Sequence, residues 1–413
     1  MMTTLSAIMQ KTILHLDLDT FFVSCERLFD SRLNNRPVLI GGTSDRGVVA
    51  SCSYEARVYG IHSAMPMKMA RMLCPHAVVI RGNSGIYSKF SDHVTDIIKE
   101  RSPLFEKSSI DEFYIDITGM DRFVRQSCLW AKELREEIIK ETHLPISFGL
   151  SVNKTVSKVG TGVAKPNNYI EIPGGSEKPF LAPLSVSKIP MVGIQTYRLL
   201  RSMGVEKIRT VQEMPVEMME SVLGKNGIVI WKKAQGVDNS PVEPWQERKS
   251  ISVERTFEKD TTDITKLRSI LHAMAENLAY QLRNGNKLTS CVTVKIRYSD
   301  FQTHSMQKRI PYTSLDHTLI DTVMDLFDKI YGRRVLLRLI GIRYSHLVGG
   351  SYQIRLFEDS EKLIKLYQAM DRVRNRYGQD AVKRAIAMGS KGIGQNPNPF
   401  NGQPPVIPAH RRG

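Results

Sequence analysis

Cysteine is scarce in this chain and poorly placed for structural chemistry. The five among 413 residues (Cys25, Cys52, Cys74, Cys128 and Cys291) are scattered, odd in number and never paired as C-x-x-C. That pattern excludes a disulfide framework, argues against structural zinc and fits a reducing cytosol. Long apolar runs are missing as well. The opening MMTTLSAIMQK holds no stretch fit for a signal peptide, and nothing later approaches the length of a membrane span. A cytoplasmic protein without membrane contact is expected. Acid is the third shortage: 42 Asp and Glu stand against 58 Lys and Arg, a formal charge of +16. Such an excess favours a polyanionic partner. It is unevenly spread. Residues 1–172 carry 21 basic and 19 acidic side chains, residues 173–240 carry 9 and 6, residues 241–346 carry 17 and 12, and residues 347–413 carry 11 and 5. The first segment is nearly balanced, so the grip on a polyanion falls to the later ones.

What is present is ordinary globular material, 41% hydrophobic and 24% charged, long enough for two to four domains. Against that background three carboxylates stand out. Ile13-Leu14-His15-Leu16-Asp17-Leu18-Asp19 alternates as a strand, with Leu14, Leu16 and Leu18 on an apolar face and His15, Asp17 and Asp19 on the other. About ninety residues later Ser109-Ile110-Asp111-Glu112-Phe113 forms a turn leading into a second strand. Asp at a strand end ordinarily caps a turn, and neither segment alone points to chemistry. If the two are neighbours in one sheet, Asp17, Asp111 and Glu112 gather with nothing nearby to neutralise them. Hard oxygen ligands so crowded suit Mg²⁺, and a pair of ions about 3.5–4 Å apart is the arrangement of nucleotidyl transfer.

The segments HLDLDTFFVSCE, GVVASCSYEARVYGIHSAMP, SSIDEFYIDIT, FGLSVNKTVSKVGTGVAKP and KIPMVG follow in an order and spacing similar to the Y-family, lesion-bypass DNA polymerases of the bacterial polymerase IV and V kind. The likeness runs from about Lys11 to about Leu347. It implies an α+β multidomain fold, a right-hand polymerase with ferredoxin-like palm, small fingers, helix-hairpin-helix thumb and βαββαβ little finger. It also implies Mg²⁺, two ions per active site, with primer-template DNA and deoxynucleoside triphosphates as partners of a monomer. By that likeness Asp17, Asp111 and the backbone carbonyl of Leu18 are metal ligands, and Glu112 is the catalytic acid completing the site. Phe22, five residues past Asp17, matches the steric gate that a ribose 2′-hydroxyl would strike. Phe21 beside it lies at the nucleotide pocket and reads as core. Tyr54 and Arg57 are three apart on one helix face and can reach one anion. Lys165 matches the family's phosphate lysine, and Ser51 offers a hydroxyl.

Organisation follows the same segments. Residues 1–30 and 83–172 are expected as palm, two helices over one face of an antiparallel sheet, with fingers inserted at 31–82. Pro173-Gly174-Gly175 opens a thumb at 173–240. Its Ile189–Gly193 hairpin has Met191 where the DNA-holding motif normally has Gly, leaving Gly193 to meet a phosphate. A linker at 241–248 leads to a βαββαβ module at 249–346. There Lys295 and Arg297 share one strand face for DNA, while Val292, Val294 and Ile296 share the other. Residues 347–413 form a tail in which 358–389 reads as one helix. Gln353, Leu356 and Phe357 resemble the Q-x-x-L-F peptide that docks on a sliding clamp; Tyr352, Ile354 and Leu356 also alternate as a strand would. The resulting expectation is error-prone translesion synthesis with no proofreading exonuclease. A catalytically silent DNA-binding or clamp-docking protein of the same fold and a nucleotide cyclase are its rivals.

Overall fold

The computed structural model describes residues 11–120, 127–332, 335–350, 360–378 and 381–388. They fall into two units that divide between Gln246 and Glu247. Among the described residues, no helix is long and apolar enough to cross a membrane.

The first unit carries strands β1 (Ile13–Leu18), β2 (Val38–Gly41), β3 (Val49–Cys52), β4 (Val78–Ile80), β5 (Phe105–Lys107), β6 (Glu112–Asp116), β7 (Ile146–Ser151) and β8 (Tyr169–Glu171). Its first six helices are α1 (Phe21–Phe29), α2 (Tyr54–Arg57), α3 (Met67–Leu73), α4 (Ser84–Arg101), α5 (Ser127–Thr142) and α6 (Lys154–Ala164). One sheet has the order β5-β6-β1-β7-β8, antiparallel except for β7 with β8, and a small one has the order β3-β2-β4. The apolar face of β1 behaves as its alternation requires. Leu14, Leu16 and Leu18 are buried with Val94 and Ile98 of α4 and Trp130, Leu134 and Ile138 of α5.

The other face is not open, as two helices over one face would leave it. His15 is only 1% exposed, because α6 lies across that side. Ser157 Oγ donates to the Ile13 carbonyl (2.7 Å), and Thr161 Oγ1 donates to the His15 carbonyl (3.0 Å). The approach is so close that a Cβ on Gly149 of β7 would stand 2.2 Å from the Ser157 carbonyl, which only glycine avoids. Burial first, then Lys158, Lys165 and Lys154 nearby, holds the His15 imidazole well below its usual pKa.

Five further helices follow: α7 (Glu177–Leu181), α8 (Ile194–Ser202), α9 (Ile208–Glu213), α10 (Val216–Leu223) and α11 (Lys225–Ala234). Leu181, Leu200, Ile208, Val211, Met219 and Ile230 form a core with Val156 and Val159 of α6. The segment 241–248, expected as a linker, is not free over its whole length. Val242 is buried against Ile13 and Tyr114, and Glu243 N–H donates to Glu106 Oε2 (2.8 Å). An apolar side chain and a backbone donor each find a partner on the sheet, so the chain is strapped there first.

The second unit has the βαββαβ order: β9 (Ser250–Thr261), α12 (Ile264–Asn284), β10 (Lys287–Tyr298), β11 (Thr303–Thr313), α13 (Asp316–Ile330) and β12 (Leu337–Gly349). The antiparallel sheet runs β11-β10-β12-β9. Val292, Val294 and Ile296 pack with Leu271 and Leu278 of α12 and Val323 and Phe327 of α13. The stretch read as one helix over 358–389 is shorter: α14 (Ser360–Tyr377) stops at Gly378, whose φ of 96° ends the helix. Arg283 of α12 fixes α14, donating to Asp371 (2.5 and 3.0 Å) and to Asp316 (2.5 Å). A guanidinium buried between two carboxylates offsets little of its own desolvation cost, but losing either partner would leave a buried charge unpaired.

Candidate active site

β1 and β6 are antiparallel neighbours, with Asp17 directly opposite Glu112. Leu18 N–H donates to the Asp111 carbonyl (3.0 Å), so the two acidic segments meet at one end of the sheet. Ser109 shapes the turn between β5 and β6. Its Oγ accepts from Glu112 N–H (3.0 Å) and donates to Asp111 Oδ1 (2.5 Å). The strand pairing thus assembles Asp17, Asp111 and Glu112 as the sequence anticipates, with Leu18 at the end of β1 beside them.

Their lack of neutralising charge was a wrong expectation. Lys165 Nζ pairs with Asp17 Oδ1 and lies 3.7 Å from Asp19 Oδ1, while Lys158 Nζ sits 2.7 Å from both oxygens of Glu112. Burial still pushes the Asp17 carboxyl up to about 7, against the pull of Lys165 and with further push from Glu112 and Asp111. Burial likewise raises Asp111, opposed by the Ser109 hydrogen bond. Asp19 is 1% exposed and takes no part in that cluster. Its oxygens accept from Ser147 Oγ (2.7 Å), Asn167 N–H (2.5 Å) and Tyr54 Oη (3.3 Å), contacts that tie β1 to β7, to the segment after α6 and to α2.

Among the described residues, no group of three Asp, Glu, His or Cys side chains stands set to hold a metal ion. Ammonium groups meet Asp17 and Glu112 instead. The donor chemistry nonetheless fits a hard divalent cation. All the donors are oxygen, and two carboxyls are pushed up by burial that the lysines do not fully offset.

The family model for the impB/mucB/samB family matches residues 16–162, and that for the family's C-terminal domain matches residues 248–356. A DNA polymerase IV of Dehalococcoides mccartyi is 36% identical over 376 residues, covering 90% of this chain and 96% of the relative. The chain belongs to the Y-family DNA polymerases. A DNA polymerase IV of Clostridioides difficile is 33% identical over 375 residues, covering 88% of this chain and 99% of that one. A solved Y-family DNA polymerase chimera shares the fold, with a TM-score of 0.72 at 24% identity over 82% of this chain and 100% of that chain. Dependence on a divalent metal is a general property of that fold.

In this Y-family polymerase the turn leaving β1 is strained. Thr20 has φ 44°, a left-handed conformation that a β-branched residue rarely adopts. It delivers Phe21 into the core, 2% exposed, and leaves Phe22 half-buried, stacked on Tyr87 with ring centroids 4.3 Å apart. Tyr54 and Arg57 meet on α2 as expected, but as partners of each other: the guanidinium lies 4.8 Å from the centre of the Tyr54 ring. Burial, then Asp19, raises the Tyr54 phenol. Ser51 is half-buried on β3. In the second unit Lys295 and Arg297 do occupy the face opposite the helices, where Lys295 pairs with Glu254 (2.9 Å) and Arg297 donates to Thr303 (2.7 Å). Gln353, Leu356 and Phe357 lie outside the described residues.

Gly193 stands at the start of α8, and its N–H donates to the Met191 carbonyl (3.1 Å). Met191 itself has φ 81° and is 57% exposed. The hairpin keeps a glycine-like backbone with a side chain on it, at a cost of about 1–2 kcal/mol. Met191→Gly is therefore expected to raise stability by about 1 kcal/mol, or roughly 2–4 °C in the melting temperature. A lowered melt would show that the side chain contributes more than its strain costs.

Lys158, Ser147, Asn167 and Tyr87 escaped the sequence reading. For Lys158 a signal existed: Lys154, Lys158, Thr161 and Lys165 recur at spacings of four, three and four, one face of a helix.

Proposed function

We propose that this chain is a template-directed DNA polymerase that copies past damaged template, with nucleotidyl transfer at Asp17, Asp111 and Glu112. The observation that carries it is Asp17 standing opposite Glu112 on adjoining strands, with Asp111 at the turn between β5 and β6. When bound, two Mg²⁺ ions would lower the pKa of the primer 3′-hydroxyl and stabilise charge on the α-phosphate and the leaving pyrophosphate. Asp17, the Leu18 carbonyl, Asp111 and Glu112 would hold them. Lys165, Tyr54, Arg57 and Ser51 bind the triphosphate, Lys165 exchanging Asp17 for phosphate. Phe22, with Phe21 packed behind it, bounds the sugar.

The palm takes residues 1–30 and 83–172, the fingers 31–82, the thumb 173–240 and the little finger 249–346. Lys295 and Arg297 face the duplex backbone, a contact that holds without reading sequence. The protein acts as a cytoplasmic monomer, and no segment is assigned to an exonuclease. Primer extension by the purified protein with Mg²⁺ and the four deoxynucleotides tests this. Templated extension by the protein alone is expected. DNA binding without extension would favour the silent relative, and cyclic product from a nucleoside triphosphate would favour the cyclase.

Gln353, Leu356 and Phe357 are proposed to dock on a sliding clamp, two apolar anchors and one amide. Changing all three to Ala is expected to spare extension of short primers and abolish stimulation by the clamp. A clamp pull-down beside a thermal melt decides the matter. Lost binding with an unshifted melt supports docking, and a melt lowered by several degrees with binding kept makes the segment part of the fold.

A further inference from the structure

Helix α6 and the residue just past its end meet the sheet through a row of polar contacts. Lys154 Nζ reaches Glu106 (2.7 Å), Lys158 Nζ reaches Glu112, Thr161 reaches His15 (2.8 Å) and Lys165 reaches Asp17. Lys154 and Thr161 bind groups outside the acidic cluster, and Lys165 is claimed by the triphosphate. Lys158 remains without a task. Its grip on Glu112 is symmetric, 2.7 Å to each oxygen, and the pair is partly buried, with side chains 35% and 21% exposed. A long lysine side chain gives up rotamer freedom to stand there, and an exposed pair would gain little for that loss. Here the carboxylate shares its surroundings with Asp17 and Asp111, and without a cation it would be driven towards solvent.

We propose that Lys158 is a positioning residue for Glu112, standing in for a metal ion in the free enzyme and competing with it for the carboxylate. The inference rests on the reading of Glu112 as part of the metal site. Two consequences pull in opposite directions. Removing the ammonium removes repulsion of an incoming divalent ion, so metal binds more tightly. It also frees the Glu112 carboxylate to rotate, so fewer molecules hold it in the productive orientation and turnover falls. A residue that merely supported the fold would not separate the two.

The test is Mn²⁺ binding to the DNA-free full-length chain, followed by the paramagnetic resonance of free Mn²⁺, with kcat for primer extension measured beside it. Lys158→Met is expected to bind Mn²⁺ at least about threefold more tightly and to lose about tenfold in kcat. Lys158→Arg, which can fork onto a carboxylate, should return both towards wild type. Lys158→Gln serves if the Met variant fails to fold. Unchanged or weaker Mn²⁺ binding overturns the inference, and so does an undiminished kcat. Asp111→Asn in the same titration separates the failures. If it loses Mn²⁺ while the Lys158 variants bind as wild type, only the role of Lys158 is wrong; if it binds Mn²⁺ as before, the metal site itself is wrong.

Discussion

Replacing Asp111 by Asn is expected to lower primer extension by about 10³-fold while leaving the fold and DNA affinity largely intact. The factor corresponds to about 4 kcal/mol of transition-state stabilisation, within the several kcal/mol expected from a lost metal ligand. The substitution keeps shape and removes charge. It also relieves a strain the free protein carries. The Asp17 carboxyl, pushed from 3.8 up to about 7 mainly by burial, is further raised by Asp111. A carboxyl with a higher pKa folded than unfolded holds its proton more tightly in the fold. Its contribution to stability is therefore present at low pH and lost as pH rises from 3.8 towards 7. At neutral pH the cluster is a liability that lysines only partly offset, so the Asn variant should melt no lower than wild type. Glu112→Gln is expected to behave alike in extension. Single-turnover extension beside a thermal melt checks both. A variant keeping more than about a tenth of the wild-type rate, a loss of only about 1.4 kcal/mol, is incompatible with a direct ligand.

The strands that bear these acids were legible because period-2 alternation is a local property. Leu14, Leu16 and Leu18 had to share a face, and so did His15, Asp17 and Asp19. Whether a face is covered is not local. Nothing within Ile13–Asp19 says that α6, beginning at Lys154, lies over His15, and the signal was split between Gly149, Ser157 and Thr161. The counter-ions were hidden for the same reason. Lys158 and Lys165 follow Asp17 by more than 140 residues, and only the pairing of β1 with β7 brings α6 back onto it. The βαββαβ order survived because each element is long and strongly periodic. The ends did not: Gly378 cuts α14 short, and Val242 straps down a segment that composition marks as linker. Met191 is the instructive case. The residue departs from the motif while the backbone keeps the glycine's φ, so a mismatch in sequence became strain and not a new turn.

Replacing Phe22 by Ala is expected to leave deoxynucleotide insertion partly active and to raise ribonucleotide insertion relative to it by about 10²-fold, some 2.7 kcal/mol of discrimination. The aromatic ring leaves β1 through the strained Thr20 turn and is held face to face on Tyr87, with planes inclined by 15°. Tyr87 is itself tethered, its hydroxyl donating to Glu26 Oε1 (2.5 Å). A ring fixed in this way is held against swinging aside, and as the proposed gate it would exclude an extra hydroxyl by shape and not by affinity. That separates it from a contact residue, whose loss would slow both sugars alike. The stacking also predicts a modest fall in melting temperature, since one partner of an aromatic pair worth about 0.5–1.5 kcal/mol is removed. The measurement is the ratio of kcat/KM for matched ribo- and deoxynucleotides opposite one template base. A ratio unchanged while the melt falls would make Phe22 a packing residue and move the gate elsewhere along the strand-to-helix turn.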